Sequence, residues 1–163
     1  MDIIIGNLCS LLAMVTDSIS STRKTAKGVL AMQCVSQAIY CISGIALKGY
    51  SAVVQSVVSI LRNIAAIAER EEKWLQYALI AAGVVMGLYF NNRGLFGWLP
   101  VIANLEYSIA VFKFKDNDRA LKIAFAINIV LFMIFNAVVM NIVGVVCSSV
   151  VLVTTLSAVF KKK

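Results

Sequence analysis

The chain has 163 residues, 61% of them hydrophobic and only 14% charged, with a mean hydropathy of +0.89 and a net charge of +7. A soluble domain carries about 45–50% apolar and roughly 25% charged residues, and a chain this short has no interior large enough to hide the excess. The composition argues against a soluble fold, and basic residues gathered in short clusters at segment ends argue against the continuous basic stripe of a nucleic-acid-binding face.

A helix crosses the roughly 30 Å hydrocarbon core of a bilayer in about 17–25 residues. Seven apolar runs of that order follow one another: Ile3 to Ser20, Gly28 to Leu47, Ser51 to Ala68, Trp74 to Phe90, Leu95 to Phe112, Ala120 to Ala137, and Ile142 to Phe160. The start, Met1-Asp2-Ile3, has no basic n-region, so the first run is expected to stay in the protein. The connections are short, which makes successive helices antiparallel neighbours. The break between the last two runs rests on Asn136 and Asn141 alone. An unbroken helix from Ala120 to Phe160 would be about 60 Å long at 1.5 Å per residue, twice the core thickness, so the chain must fold back there. Cys9, Cys34, Cys41 and Cys147 lie inside apolar runs without metal-ligand spacing or any His, and read as small buried side chains.

If the runs alternate across the membrane, twelve of the fifteen basic residues share one side: Arg23, Lys24, Lys27, Arg70, Lys73, Lys113, Lys115, Arg119, Lys122 and Lys161 to Lys163. Lys48 and Arg93 take the other. The positive-inside rule then predicts a multi-pass protein of seven spans, with the N-terminus outside and the C-terminus cytoplasmic. Sliding the chain by 91 residues lays runs one to three on runs five to seven, with the Lys48 to Tyr50 turn falling on Val139 to Asn141. The predicted fold class is an all-α integral membrane protein in a single domain, residues 1–163. Two parallel three-helix repeats, 3–68 and 95–160, are joined by a linker helix, 74–90. Such parallel repeats occur in the SWEET sugar transporters.

The second and third runs read Gln33-x-x-Ser36-x-x-x-Tyr40, then Ser43-Gly44, then Leu61-Arg62-Asn63. This pattern, within residues 1–70, resembles the bacterial YgjV-type inner membrane proteins. The resemblance implies a bacterial inner (plasma) membrane location. It also implies an architecture related to the SWEET, PQ-loop and nicotinamide-riboside (PnuC-like) transporter group. The Pro-Gln pair that names the PQ-loop proteins is absent, since Pro100 is followed by Val101. The resemblance carries over no catalytic or binding residue.

Ionisable side chains inside a membrane are costly and usually face the bundle interior. Three fall within the runs: Asp17, Arg62 and Glu106. Arg62 and Glu106 sit at similar depth, so Arg62 either pairs with Glu106 between the repeats or snorkels toward the headgroups. Glu106 and Asp17 are candidates for proton coupling, while Asp17 also lies close enough to a helix end for interfacial solvation. Polar stripes follow helical spacing: Gln33, Gln37 and Tyr40; Gln55, Ser59 and Arg62; Asn7, Ser10 and Asp17; Asn104, Tyr107 and Ser108; Asn128 and Asn136. They either line a wet cavity or hydrogen-bond helix to helix.

No phosphate loop, metal cluster or His-based nucleophile–base pair is present in the sequence, so no cofactor and no enzymatic activity are expected. The function this reading favours is a transporter or facilitator of a small polar metabolite, anionic or carboxylated, working in the lipid bilayer by rocking of the two three-helix units. Arg62 would fix the ligand's charge, with Asn63, Gln33, Gln37, Tyr40, Asn104 and Asn128 as the binding walls. The alternative is a non-transporting membrane scaffold or ligand receptor, and a homo-oligomer stays open in either case.

Overall fold

The computed structural model describes residues 1–20, 26–68, 72–113 and 118–160. Among them the chain is all-helical: α1 Asp2–Ser20, α2 Ala26–Ala46, α3 Tyr50–Ile67, α4 Lys73–Tyr89, a 3-10 turn Gly94–Trp98, α5 Leu99–Lys113, α6 Asp118–Val138 and α7 Ile142–Phe160. Each helix coincides to within two residues with one of the apolar runs, except that the fifth divides. Gly94–Trp98 winds as 3-10, and Pro100 then sits in the first turn of α5, where its missing N–H is tolerated. The α5 helix is left with 15 residues, about 22 Å at 1.5 Å per residue.

The expectation that each run crosses a bilayer on its own needs correction. Among the described residues, no helix is long and apolar enough to cross a membrane. α4 and α5 are short, α1 and α3 carry Asp17 and Arg62, and α6 opens on Asp118 and Arg119. The basic residues behind the orientation argument fall largely outside the described residues: Arg23, Lys24, Arg70, Lys115 and Lys161 to Lys163, together with the side chains of Lys113, Arg119 and Lys122.

What the fold buries is the reverse of a soluble protein. Ser10, Ser36, Ser43, Ser51, Gln55, Asn63 and Asn141 are inside, whereas Ile4, Trp74, Tyr89, Leu95, Ile142 and Val153 are all more than half exposed. Apolar burial falls mostly on alanines, which let helices approach closely, on Val101 and Ile129, and on one cluster of Leu47, Phe135 and Val139, against which Ala52 and Leu99 pack.

α1 packs on α2 and α2 on α3; α5 packs on α6 and α6 on α7. The two triplets meet through α1 against α7 and through α3 against α5, and α4 lies on α3 and α5. Exchanging the triplets turns the first of these contacts into the second. Helices α2 and α6 begin 92 positions apart (26 and 118) and end 92 apart (46 and 138), and α3 and α7 begin at 50 and 142.

The turns between them are closed in the same way. Lys48 N–H donates to Ile45 O at 3.0 Å and Gly49 N–H to Gly44 O at 2.8 Å. Met140 N–H donates to Ala137 O at 3.2 Å and Asn141 N–H to Asn136 O at 2.8 Å. Both are Schellman caps, with Lys48 (φ 54°) and Met140 (φ 60°) left-handed where glycine is usual. These two caps lie 92 positions apart, whereas the register of 91 pairs Lys48 with Val139. The register of 91 places Gly6 on Gly97 and Leu8 on Leu99, and one position on a helix is a rotation of about 100°.

A polar seam between two helix triplets

Three polar groupings occupy the interior, and they differ in how fully they are bonded. At the end that carries the two turns, Asn7 of α1 reaches across to the other triplet. Its Nδ2 donates to Met140 O (2.9 Å) and Ile3 O (2.9 Å), and its Oδ1 accepts from Val143 N–H (3.0 Å) at the start of α7. The opposite turn is held in the reciprocal sense. Lys48 O accepts from Asn92 Nδ2 (2.8 Å) and Arg93 Nε (3.0 Å), while Arg93 Nη2 donates to Leu47 O (2.7 Å). The Asn136/Asn141 break is a true cap: Asn141 Oδ1 accepts from Gly144 N–H at 2.9 Å, and Asn141 Nδ2 donates to Asn136 Oδ1 at 3.1 Å. Ser10 and Ser43 share a hydrogen bond of 2.7 Å, and Ser43 Oγ is also 2.8 Å from Gly6 O.

In the middle, Gln55 of α3 ties three helices together. Its Nε2 donates to Gly83 O of α4 at 2.9 Å, and its Oε1 accepts from Asn104 Nδ2 of α5 at 2.8 Å. Asn128 Nδ2 of α6 donates to Ala103 O at 2.8 Å. Asn104 and Asn128, both candidates for binding walls, are thus engaged in helix-to-helix bonds.

Toward the other end, Ser36 Oγ donates to Asp17 of α1 and lies 3.0 Å from Gln33 O. Asn63 Nδ2 donates to Gln33 Oε1 at 3.5 Å. Tyr40 lies within electrostatic reach of Asp17 and, across the α1–α7 contact, of Cys147. Asp17 is therefore a bonded interior carboxylate rather than an isolated charge at a helix end.

Arg62 and Glu106 do not form an ion pair among the described residues. Glu106 Oε2 is buried without a hydrogen-bond partner, and Arg62 is exposed. Helical geometry explains the separation. Tyr107, one position on and about 100° around α5, is the residue within electrostatic reach of Arg62, and its ring packs 5.7 Å from Phe125 of α6.

The site residues expected from the sequence therefore divide. Gln33, Asn63, Asn104, Asn128 and Asp17 are held by protein partners. Gln37, Tyr40 and Arg62, with Tyr107 beside them, make no side-chain hydrogen bond to a described residue, and their polar atoms remain accessible. Sequence reasoning placed Asn7 and Gln55 on polar stripes but missed their cross-links, and it gave no role to Lys48, Asn92 or Arg93. The available signal for those three is their position at the breaks between apolar runs.

The four cysteines are free and half-buried, and Cys34 and Cys41 point their thiols at Ile60 O (3.9 Å) and Val53 O (3.8 Å). Neither a curated protein nor a solved structure matches the chain. A family model does, over residues 4–163, nearly its whole length. With a greasy exterior around a polar interior and a match of that extent, the chain belongs to the Imp-YgjV family of bacterial inner membrane proteins.

Proposed function

We propose that the chain is a carrier or facilitator that moves a small polar metabolite, anionic or carboxylated, across the inner membrane. In this reading the seven helices cross together as one bundle with the N-terminus outside, as two parallel three-helix repeats joined by α4. The inside-out burial supports immersion as a bundle. In lipid, backbone groups are satisfied within helices while interior side chains bond to one another. Aromatic residues mark two levels of α4, Trp74 and Tyr77 at one end and Tyr89 and Phe90 at the other, as at the two interfaces of a bilayer. The 92-residue correspondence of helix bounds and caps, and the exchange of α1·α7 with α3·α5, support the repeat.

The observation that carries the transport reading is the unbonded polar set at the seam. Tyr40, Arg62 and Tyr107 bring hydrogen-bonding atoms and a cation to the meeting of the triplets, and with Gln37 of α2 they make no side-chain hydrogen bond to a described residue. Between moving bodies such groups serve a ligand, and the Leu47–Phe135–Val139 cluster closes the turn end. No ATP-binding loop is present in the sequence, so the driving force is a gradient.

The paired Gln55–Asn104–Gly83 junction favours a second reading, a rigid non-transporting scaffold or ligand receptor. A thermal-shift screen of detergent-solubilised protein against small carboxylates and other polar metabolites, run beside Arg62→Gln and followed by vesicle uptake, separates the two. A ligand at about 100 times its Kd stabilises by about 2.7 kcal/mol. Stabilisation lost in Arg62→Gln, together with uptake, is the expected result. Binding without uptake selects the receptor, and absence of both selects the scaffold.

A further inference from the structure

The turn end of the molecule holds a cavity of about 360 Å³ lined by both triplets, its charged and turn residues being Asp2, Lys48, Arg93 and Met140. The floor is apolar, made by Leu47 and Val139 of the closing cluster. The side chains at the rim carry two cations and one carboxylate, and Met1 with its amino group lines the pocket beside Asp2. No ion pair joins Asp2 to Lys48 or Arg93 among the described residues, and Arg93 spends Nε and Nη2 on backbone carbonyls while Nη1 stays uncommitted. Asp2 stands in the first turn of α1, where the helix N-terminus favours a negative charge.

Lys48 provides an independent observation. The left-handed position of a Schellman cap favours glycine, because a Cβ there crowds the following carbonyl oxygen. Both such positions, Lys48 and Met140, carry long side chains, and both line this cavity. Strain kept where a smaller residue would relieve it is a mark of functional sites.

We propose that this cavity is a binding site for a small organic anion with a short apolar chain, its anionic group held by Lys48 and Arg93 and its chain lying on Leu47 and Val139. The site stands apart from the seam around Arg62 and does not require that the protein transport anything.

Hexanoate is a suitable probe, with 1-hexanol and hexylammonium as controls of equal chain length, titrated at constant ionic strength into the full-length protein in detergent while its melting is followed. Hexanoate is expected to stabilise and the two controls not. Lys48→Gly is expected to raise the melting temperature of the unliganded protein, by relieving the left-handed strain, and to weaken hexanoate binding at least tenfold. Lys48→Gln is expected to lose binding, and Lys48→Arg to retain it. Equal stabilisation by hexanol, or hexanoate affinity kept within twofold in both Lys48→Gly and Lys48→Gln, overturns the proposal. Competition by phosphatidylglycerol in mixed micelles distinguishes a lipid headgroup from a free metabolite as the source of the anion.

Discussion

Asn7 shows how much one amide does in a bundle whose helices are held together by sparse polar bonds. It links the start of α1 to the α6–α7 turn and to the first N–H groups of α7, positions 133 and 136 residues away in sequence. Replacing it by Ala removes the partner of Met140 O, in an exposed bond, and of Val143 N–H, in a part-buried one, and a typical intramolecular hydrogen bond contributes about 0.5–1.5 kcal/mol. Asn7→Ala is therefore expected to lower the melting temperature by several degrees in detergent, whereas Asn92→Ala, which leaves Arg93 on the same Lys48 carbonyl, is expected to cost less. Thermal unfolding of the two variants side by side checks this; equal losses would show that the bonds across the triplets are not what Asn7 contributes. The sequence shows Asn7 as one member of an i, i+3 stripe with Ser10. Its partners are backbone atoms, which leave no mark in a sequence.

At the scale of the element, α4 is the helix whose placement depends on absent side chains. Gly83 and Gly87 are one turn apart and both buried against α3, and Gly87 also meets Val101 of α5. A Cβ at Gly83 would meet Gln55 Oε1 at 3.4 Å, ordinary contact; at Gly87 it would meet Gln55 Nε2 at 2.6 Å and Val101 Cγ2 at 2.7 Å. Gly83→Ala should be tolerated, while Gly87→Ala should push α4 off the Gln55–Asn104 junction at a cost of about 1–3 kcal/mol, as overpacking does. Limited proteolysis at the α4 connections, compared with melting of the two variants, tests the difference, and equal behaviour would refute it. Helix existence and bounds were legible from apolar run length because every apolar stretch here is punctuated by charge or turn residues. The division of the fifth run was not: Gly94 and Gly97 before Pro100 signal irregular backbone, but choosing 3-10 over a loop depends on packing against α3 and α6.

For the whole molecule, the proposed seven-crossing arrangement makes a prediction that no local feature can. Cysteines introduced at Lys48 and at Lys27, in a chain whose native cysteines are replaced, should label oppositely in intact cells with a membrane-impermeant maleimide: position 48 accessible, position 27 protected until the cells are opened. Labelling of both or of neither from outside would refute an odd number of crossings between these ends of α2. In that proposed orientation the pocket at Asp2, Lys48 and Arg93 would lie on the outer face and the Arg62–Tyr107 approach in the cytoplasmic half.

The sequence by itself determined the all-helical class, the helix order and the identity of the costly polar residues, because hydropathy, helix length and charge placement are local quantities. Only the tertiary structure decided which of those polar residues are spent on each other. It set Asn104 and Gln55 together, left Arg62 and Glu106 without an ion pair, placed the two left-handed caps 92 positions apart, and gathered Lys48 and Arg93 at one pocket. Each of those outcomes turns on helix rotation and on which helices touch. A periodic apolar sequence leaves that angle free until close packing fixes it.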